Sequence, residues 1–201
     1  MEASWRFPAE WEKQRGILLC FPHNGNDWPG KYRAVQWVFV EFIKKVTTYE
    51  EVVLVVATEK LKEKVSGMLE RAHVRSDRVS YILHKTNRSW MRDSGPIIVK
   101  KGSDRKALNF HFNGWAKYKN YHLDRHVPGK VATFLDLPVE QVFYKGKFVV
   151  LEGGAIDVNG KGTLITSEEC LLDPRVQTVR AVGRAPRTGR TSPTSHGRLR
   201  T

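Results

Sequence analysis

The hydrophobic positions of the first 83 residues alternate between two patterns. Three apolar runs, residues 17–21, 51–57 and 79–83, have the length of β-strands, and the second is typical of a strand covered on both faces. Between these runs, apolar residues recur at spacings of three and four, which is the period of a helix face. The first face consists of Val35, Val38, Phe39, Phe42, Ile43 and Val46. The second follows the candidate helix cap Thr58 and consists of Leu61, Val65, Met68, Leu69 and Ala72.

The pattern changes from helices to hairpins farther along the chain. Residues 97–99 and 107–112 form a predicted hairpin, and a second hairpin joins residues 155–158 to 163–166 through Asn159-Gly160. A helix is predicted at residues 128–135, because proline is tolerated in a first helical turn. Strands that alternate first with helices and then with hairpins indicate an α/β class with mixed sheets.

The composition is that of a globular protein, with 40% hydrophobic residues in 201. The sequence contains no apolar stretch of membrane-spanning length and no secretory signal pattern, so we expect a cytoplasmic protein. Cys20 and Cys170 show no metal or redox spacing, and we expect both to be buried, inert thiols. A disulfide between them is the alternative, although a cytosolic chain would keep both thiols reduced.

The composition changes abruptly after Asp173. Residues 174–201 contain seven arginines and no acidic residue, which is +7 of the total net charge of +13. We therefore divide the chain into a folded part, residues 1–173, and a basic tail, residues 174–201, that we expect to be disordered. A basic arm for nucleic acid or another polyanion is the alternative, but the tail has no interleaved aromatic residues to stack on bases.

Two carboxylates occur in turn-rich stretches with aromatic neighbours. Asp93 lies in the segment Trp90-Met91-Arg92-Asp93-Ser94-Gly95-Pro96, and Glu152 precedes Gly153-Gly154. Two carboxylates near Trp90 and Trp115 are what a site for a planar guanidinium or an amine would use. The alternatives are an Asp93 that pairs with Arg92 or caps the turn, a solvated Glu152, and tryptophans that only pack the core. The seven histidines show no metal-binding spacing, so we expect no metal.

Several of these segments together resemble the agmatine deiminase and bacterial peptidylarginine deiminase family of the guanidino-group-modifying (pentein) superfamily. They occur in the family's order over residues 1–173. The matching segments are Pro8-Ala9-Glu10-Trp11-Glu12, Pro22-His23, Asp27-Trp28, Trp90 to Pro96, Phe112-Asn113-Gly114-Trp115, Lys117-Tyr118, Leu151 to Asp157, Gly160, Gly162-Thr163-Leu164 and Glu169-Cys170-Leu171-Leu172.

The resemblance implies a five-bladed α/β propeller of which this chain holds the first two to three blades. It implies hydrolysis of agmatine to N-carbamoylputrescine and ammonia, a step toward putrescine, without a metal or organic cofactor. In that family a cysteine thiolate attacks the guanidinium carbon and a histidine acts as acid and base. By position, Asp93 and Glu152 are the substrate carboxylates and Trp90 lies against the substrate, a small guanidine such as agmatine.

The sequence departs from the family at its catalytic residues. The family's nucleophilic cysteine and its His-x-Asp element are both missing after Leu172, and His122-Leu123-Asp124 has the right letters in the wrong part of the chain. We therefore assign no catalytic residue and expect an inactive, truncated or frame-shifted product with open strand edges. The alternatives are a protein-arginine deiminase relative and a non-catalytic protein that binds amines or polyanions. The oligomeric state stays open.

Overall fold

The structure, a computed structural model, describes residues 4–177 and 197–199. Its first half is a three-stranded parallel sheet in the order β1-β2-β3, with two long helices in the connections. In chain order the elements are β1 (Gly16–Cys20), α1 (Tyr32–Val46), β2 (Glu51–Val56), α2 (Glu59–Arg71) and β3 (Val79–Leu83).

Residues of β2 are buried on both faces of this sheet. Val52, Leu54 and Val56 are fully buried and pack in one cluster with residues of α1 and α2. Val55 points to the other face and packs in a second cluster, which includes Met91. A central parallel strand therefore needs the continuous apolar run that the sequence shows.

Shorter elements follow after β3. A one-turn helix, α3, leads into an antiparallel hairpin of β4 and β5, and β6 pairs with β5 in parallel. Strands β9 and β10 form a separate antiparallel pair, and β11 pairs with β10. In chain order these elements are α3 (Met91–Ser94), β4 (Ile97–Lys101), β5 (Asp104–Asn109), α4 (Val127–Phe134), β6 (Val139–Gln141), β7 (Phe143–Tyr144), β8 (Lys147–Phe148), β9 (Ile156–Val158), β10 (Leu164–Thr166), α5 (Glu168–Leu172) and β11 (Gly197–Leu199).

The Glu12 carboxylate helps to hold the amino-terminal segment to the rest of the fold. Glu12 forms a bidentate ion pair with Arg6, at 2.5 and 2.8 Å, and accepts a hydrogen bond from Lys100 Nζ at 2.8 Å. These two cations hold the pKa of Glu12 far below its ordinary value. Since Lys100 lies in β4, the contacts fix the entry segment against the second sheet.

The mixed α/β class predicted from the sequence is confirmed, whereas the propeller and its number of blades stay a prediction. The Asn159-Gly160 turn joins β9 and β10 as predicted, with Asn159 Oδ1 accepting from the N–H of Lys161 at 2.8 Å and Gly160 at φ +69°. Two predictions were incomplete. The segment from Met91 to Ser94 is helical rather than an irregular loop, and α5 was not predicted.

Residues just after the predicted boundary between residues 173 and 174 contact the preceding part of the fold. Gln177 exchanges two side-chain hydrogen bonds with the backbone of Val150, at 3.1 and 2.9 Å, and Val176 O accepts from Asn113 Nδ2 at 2.9 Å. The division of the chain after residue 173 stays a prediction. Most of the predicted tail, residues 178–196 and 200–201, lies outside the described residues, so its disorder stays a prediction.

The two cysteines differ in their surroundings. Cys20 is 1% exposed, as expected, but Cys170 on α5 is only partly buried, so the prediction that both are buried was wrong for Cys170. Cys170 lies on a helix of only five residues, none of which is fully buried, so its thiol stays partly exposed. Both are free thiols.

Among the helices of the described residues, none combines the length and apolar character needed to cross a bilayer.

Candidate functional site

Four loops carry the candidate residues, and contacts between side chains bring them together. The loops after β1 and β3 meet where Trp28 contacts Trp90, with ring centroids 5.4 Å apart. A third loop, between β5 and α4, carries Trp115, and a fourth, before β9, carries Glu152. Loops at the carboxyl ends of parallel strands are common places for ligand contacts in α/β proteins.

Asp93 is held in α3 with its carboxylate directed toward the fourth loop. The one-turn helix is closed by a hydrogen bond from Gly95 N–H to Met91 O at 2.9 Å. The N–H of Gly154 and the indole of Trp115 are donors close enough to the Asp93 carboxylate to favour its ionised form. Burial raises the pKa of Asp93, although these two donors and the charge of Arg92 oppose the increase. Asp93 is therefore a partly desolvated carboxylate that a bound cation would help to ionise.

Gly154 is required for this arrangement. A Cβ atom at Gly154 would lie 2.3 Å from Asp93 Oδ1, which is far inside a normal contact. Gly153 is similarly constrained, because its Cβ would lie 2.4 Å from the carbonyl oxygen of Arg92. The two glycines after Glu152 thus allow the fourth loop to lie directly on α3.

Glu152 is buried rather than solvated, which excludes the alternative of a purely surface glutamate. Its exposed fraction is 4%, and Oε1 is a buried atom without a hydrogen-bond partner among the described residues. Burial raises the pKa of Glu152, and the negative charge of Asp93 raises it further. The structure therefore places the two predicted carboxylates within electrostatic influence of each other, and one of them has a buried oxygen without a hydrogen-bond partner among the described residues.

Arg92 does not neutralise Asp93 through a hydrogen bond. Its guanidinium forms an ion pair with Glu10 and a longer one, at 3.7 Å, with Asp157, and its Nε donates to Gly153 O at 3.0 Å. The alternative in which Asp93 serves mainly to pair with Arg92 is therefore not what the structure shows. Arg92 instead ties α3 to the loop that contains Glu152.

The aromatic residues form one side of the site. Trp90 is 41% exposed, so it is not a core residue, and its ring is tilted by 38° to that of Trp28. Trp115 adopts a left-handed backbone conformation, φ +59°, after Gly114 at φ +67°. This turn brings its indole N–H to Asp93. Sequence reasoning did not propose Trp28 as a site residue, although Asp27-Trp28 was among the segments that carried the family resemblance.

Neither Cys20 nor His23 is prepared for nucleophilic chemistry. Burial raises the pKa of the Cys20 thiol to about 11, and its Sγ lies 3.4 Å from Thr86 Oγ1. His23 Nε2 lies 2.7 Å from the same hydroxyl, and burial lowers the pKa of His23. An attacking cysteine needs a lowered pKa, so Cys20 has the properties of a structural thiol. Within residues 4–177 and 197–199, no cluster of three or more potential ligands could hold a metal ion.

A cavity of about 480 Å³ lies behind the site. Its walls include Leu18, Val53, Met91 and Phe134, and its lining contains neither Asp93 nor Glu152. The carboxylates are thus not part of this largely apolar space.

Comparison with known proteins gives consistent results. A relative from Pseudomonas syringae pv. syringae (strain B728a), named agmatine deiminase, is 30% identical over 175 residues, which are 84% of this chain and 45% of the relative. The structure of C. jejuni agmatine deiminase with substrate bound is 27% identical, with a TM-score of 0.73 over 86% of this chain and 48% of that chain. A second structure of C. jejuni agmatine deiminase is 28% identical, with a TM-score of 0.67.

The chain therefore spans about half the length of the relatives it matches. The family-level match extends over most of the chain. The sequence model described as Porphyromonas-type peptidyl-arginine deiminase matches residues 6–181, which include all the candidate site residues and continue past the predicted boundary at residue 173. On this evidence the chain belongs to the Porphyromonas-type peptidyl-arginine deiminase family.

Proposed function

We propose that Asp93 and Glu152 bind the guanidinium group of a small substrate of the agmatine type, with Trp90 against its face. The observation that carries this proposal is the buried Glu152 carboxylate, which has one oxygen without a partner among the described residues and lies in the field of Asp93. A buried carboxylate is costly unless a cation or hydrogen-bond donors compensate it. A guanidinium supplies both, because it is a permanent cation with five N–H donors in one plane.

The aromatic side of the site favours the same ligand. A guanidinium stacks on the face of an indole and still directs its N–H groups to carboxylates at its edge. Trp90 is exposed enough to offer such a face. A C. jejuni relative was solved with its substrate bound, which supports a small-molecule site in this fold.

We propose hydrolysis of agmatine to N-carbamoylputrescine and ammonia as the reaction to which this site belongs. This chain contributes the carboxylates and the aromatic wall. Cys20 does not contribute a nucleophile, because it is buried and the pKa of its thiol is raised to about 11. We therefore expect the 201-residue chain to bind agmatine without turning it over.

The binding experiment is isothermal titration calorimetry with agmatine on the wild type, Asp93→Asn and Glu152→Gln, with Glu63→Gln on α2 as the exposed control. Each site variant should bind about 30-fold more weakly or worse, the equivalent of roughly 2 kcal/mol for a lost charge-assisted contact. The control should bind like the wild type. Equal affinity in all four proteins would contradict the assignment of the two carboxylates.

The name of the matched family favours a second candidate, peptidyl arginine. The same two carboxylates would hold its guanidinium, so the two substrates differ in what surrounds the far end of the ligand. Titration of an arginine-containing peptide alongside agmatine separates them. Tighter binding of the peptide would favour the protein-arginine deiminase relative.

A further inference from the structure

Arg88 belongs to one of the loops that form the candidate site and contacts two others, and each of these three loops carries one tryptophan. We propose that Arg88 is a positioning residue that fixes Trp28, Trp90 and Trp115 relative to one another, and thereby builds the aromatic wall for a planar cation. The purpose assigned to this wall rests on the proposed function, whereas the positioning itself does not.

The first loop is held by a buried ion pair. Arg88 Nη1 donates to Asp27 Oδ1 at 2.6 Å, and the two side chains are only 14% and 5% exposed. Asp27 directly precedes Trp28, so the ion pair fixes the backbone from which that indole projects. Loss of one partner from such a pair leaves an uncompensated buried charge, which is strongly unfavourable.

The third loop is held by the flat face and the edge of the same guanidinium. The Arg88 guanidinium carbon lies 4.0 Å from the centre of the Tyr118 ring, and Nη2 donates to Asn120 Oδ1 at 3.2 Å. Tyr118 N–H donates to Gly114 O at 3.0 Å, and its ring contacts that of Trp115 at 5.9 Å. Arg88 is thus connected through Tyr118 to the turn that aims the Trp115 indole at Asp93.

The second loop is the one that contains Arg88, and its backbone is fixed by Asp124. Asp124 Oδ1 accepts from the N–H of Asn87 at 2.6 Å and from the N–H of Arg88 at 3.3 Å. Asn87 Oδ1 in turn accepts from Leu123 N–H at 2.9 Å. Arg88 therefore projects from an anchored backbone two residues before Trp90.

The contacts of Arg88 require a guanidinium and not only a positive charge. One planar group bonds Asp27 at one edge, reaches Asn120 with another nitrogen and lies on the Tyr118 ring. A lysine could keep the ion pair with Asp27 but would lose the planar stacking and the second donor direction. Arg88→Lys should therefore loosen the third loop. Because an unstacked lysine on a flexible stem holds Asp27 in no fixed direction, the position of Trp28 should loosen as well.

The test compares Arg88→Lys and Arg88→Met with the matched controls Arg75→Lys and Arg75→Met. Arg75 also forms an ion pair, with Asp77 at 3.0 Å, but both side chains are more than half exposed, at 55% and 64%. The positional readout is the far-ultraviolet circular-dichroism couplet of two contacting indoles, assigned to the Trp28–Trp90 pair by its loss in Trp28→Phe. Thermal unfolding reports whether each variant folds, and calorimetry reports agmatine affinity.

We expect Arg88→Lys to unfold cooperatively, to lose at least about half of the couplet and to bind agmatine about tenfold more weakly. We expect Arg88→Met to lose more of both or to fail to fold, in which case Arg88→Lys carries the test. The Arg75 variants should match the wild type. A folded Arg88→Lys with an unchanged couplet overturns the positioning role. A wild type that shows the couplet but does not bind agmatine contradicts only the proposed function, and the couplet in Arg88→Lys still decides the role of Arg88.

Discussion

Replacing Asp124 with asparagine should stabilise the protein at neutral pH, although Asp124 is a hydrogen-bonded residue. Its side chain is 1% exposed, and Oδ1 accepts the two backbone N–H groups that anchor the loop before Trp90. Its other oxygen, Oδ2, is buried without a partner among the described residues. An asparagine retains a carbonyl oxygen for the two N–H groups and removes the negative charge.

The size of the effect follows from the pKa of Asp124. Burial raises this pKa from 3.8 to about 6, despite the opposing backbone hydrogen bonds and the charge of Arg88. The folded state therefore binds the proton more tightly than the unfolded state, and the free energy of unfolding falls as the pH rises from about 4 to about 6. At about 1.4 kcal/mol per pKa unit, ionised Asp124 costs on the order of 3 kcal/mol above that range.

The assay is urea unfolding of wild type, Asp124→Asn and the exposed control Asp104→Asn at several pH values between about 4 and 7.5. The free energies of unfolding of wild type and Asp124→Asn should be similar near pH 4 and should diverge as the pH rises. The variant should be more stable by roughly 1 to 3 kcal/mol at pH 7.5. Asp104→Asn should show no such divergence. A less stable Asp124→Asn at pH 7.5, or a difference that does not change with pH, would refute the reasoning.

Three further predictions concern Gly154, Glu12 and Cys20. Gly154→Ala should abolish agmatine binding, because its Cβ would lie 2.3 Å from Asp93 Oδ1, whereas Gly129→Ala in α4 has no atom within 4 Å and should raise stability by about 0.4 to 1 kcal/mol in thermal melts. Glu12→Gln should lower the melting temperature at pH 7, because the ion pairs of Glu12 hold its pKa below the ordinary 4.5 and contribute stability above pH 4.5. The difference in melting temperature between wild type and variant should shrink as the pH falls below 4.5. Cys20 should react with a thiol reagent only on unfolding, as it is 1% exposed with a pKa of about 11, and labelling in the native state at the rate of a free thiol would contradict this.

The parts of the fold that the sequence could predict are those with a long and regular pattern. Helix α1 and strand β2 have many apolar positions at the period of their own secondary structure, and both were located to within a few residues. Helix α3 has only four residues, too few to show a period, and it is closed by Gly95 and by packing against Gly153. Short elements of this kind depend on tertiary contacts that a local pattern does not contain.

The site shows the same division. Asp93 and Glu152 could be proposed from local residue types, but the packing of Gly153 and Gly154, directly after Glu152, on α3 joins segments about sixty residues apart in the chain. The role of Arg88 was missed for a similar reason. Its ion-pair partner Asp27 is 61 residues away, and only the folded chain brings the two together. The sequence pointed to this proposed role of Arg88 only indirectly, because Asp27-Trp28 and Trp90 lie in segments that resemble the family.

The most direct test of the guanidinium site is a crystal structure of this chain with agmatine bound. We expect the guanidinium nitrogens to lie about 3 Å from carboxylate oxygens of both Asp93 and Glu152, including Glu152 Oε1, with the guanidinium plane against Trp90. Agmatine bound elsewhere, for example in the cavity lined by Leu18 and Met91, with Asp93 and Glu152 free of it, would contradict the assignment of this site.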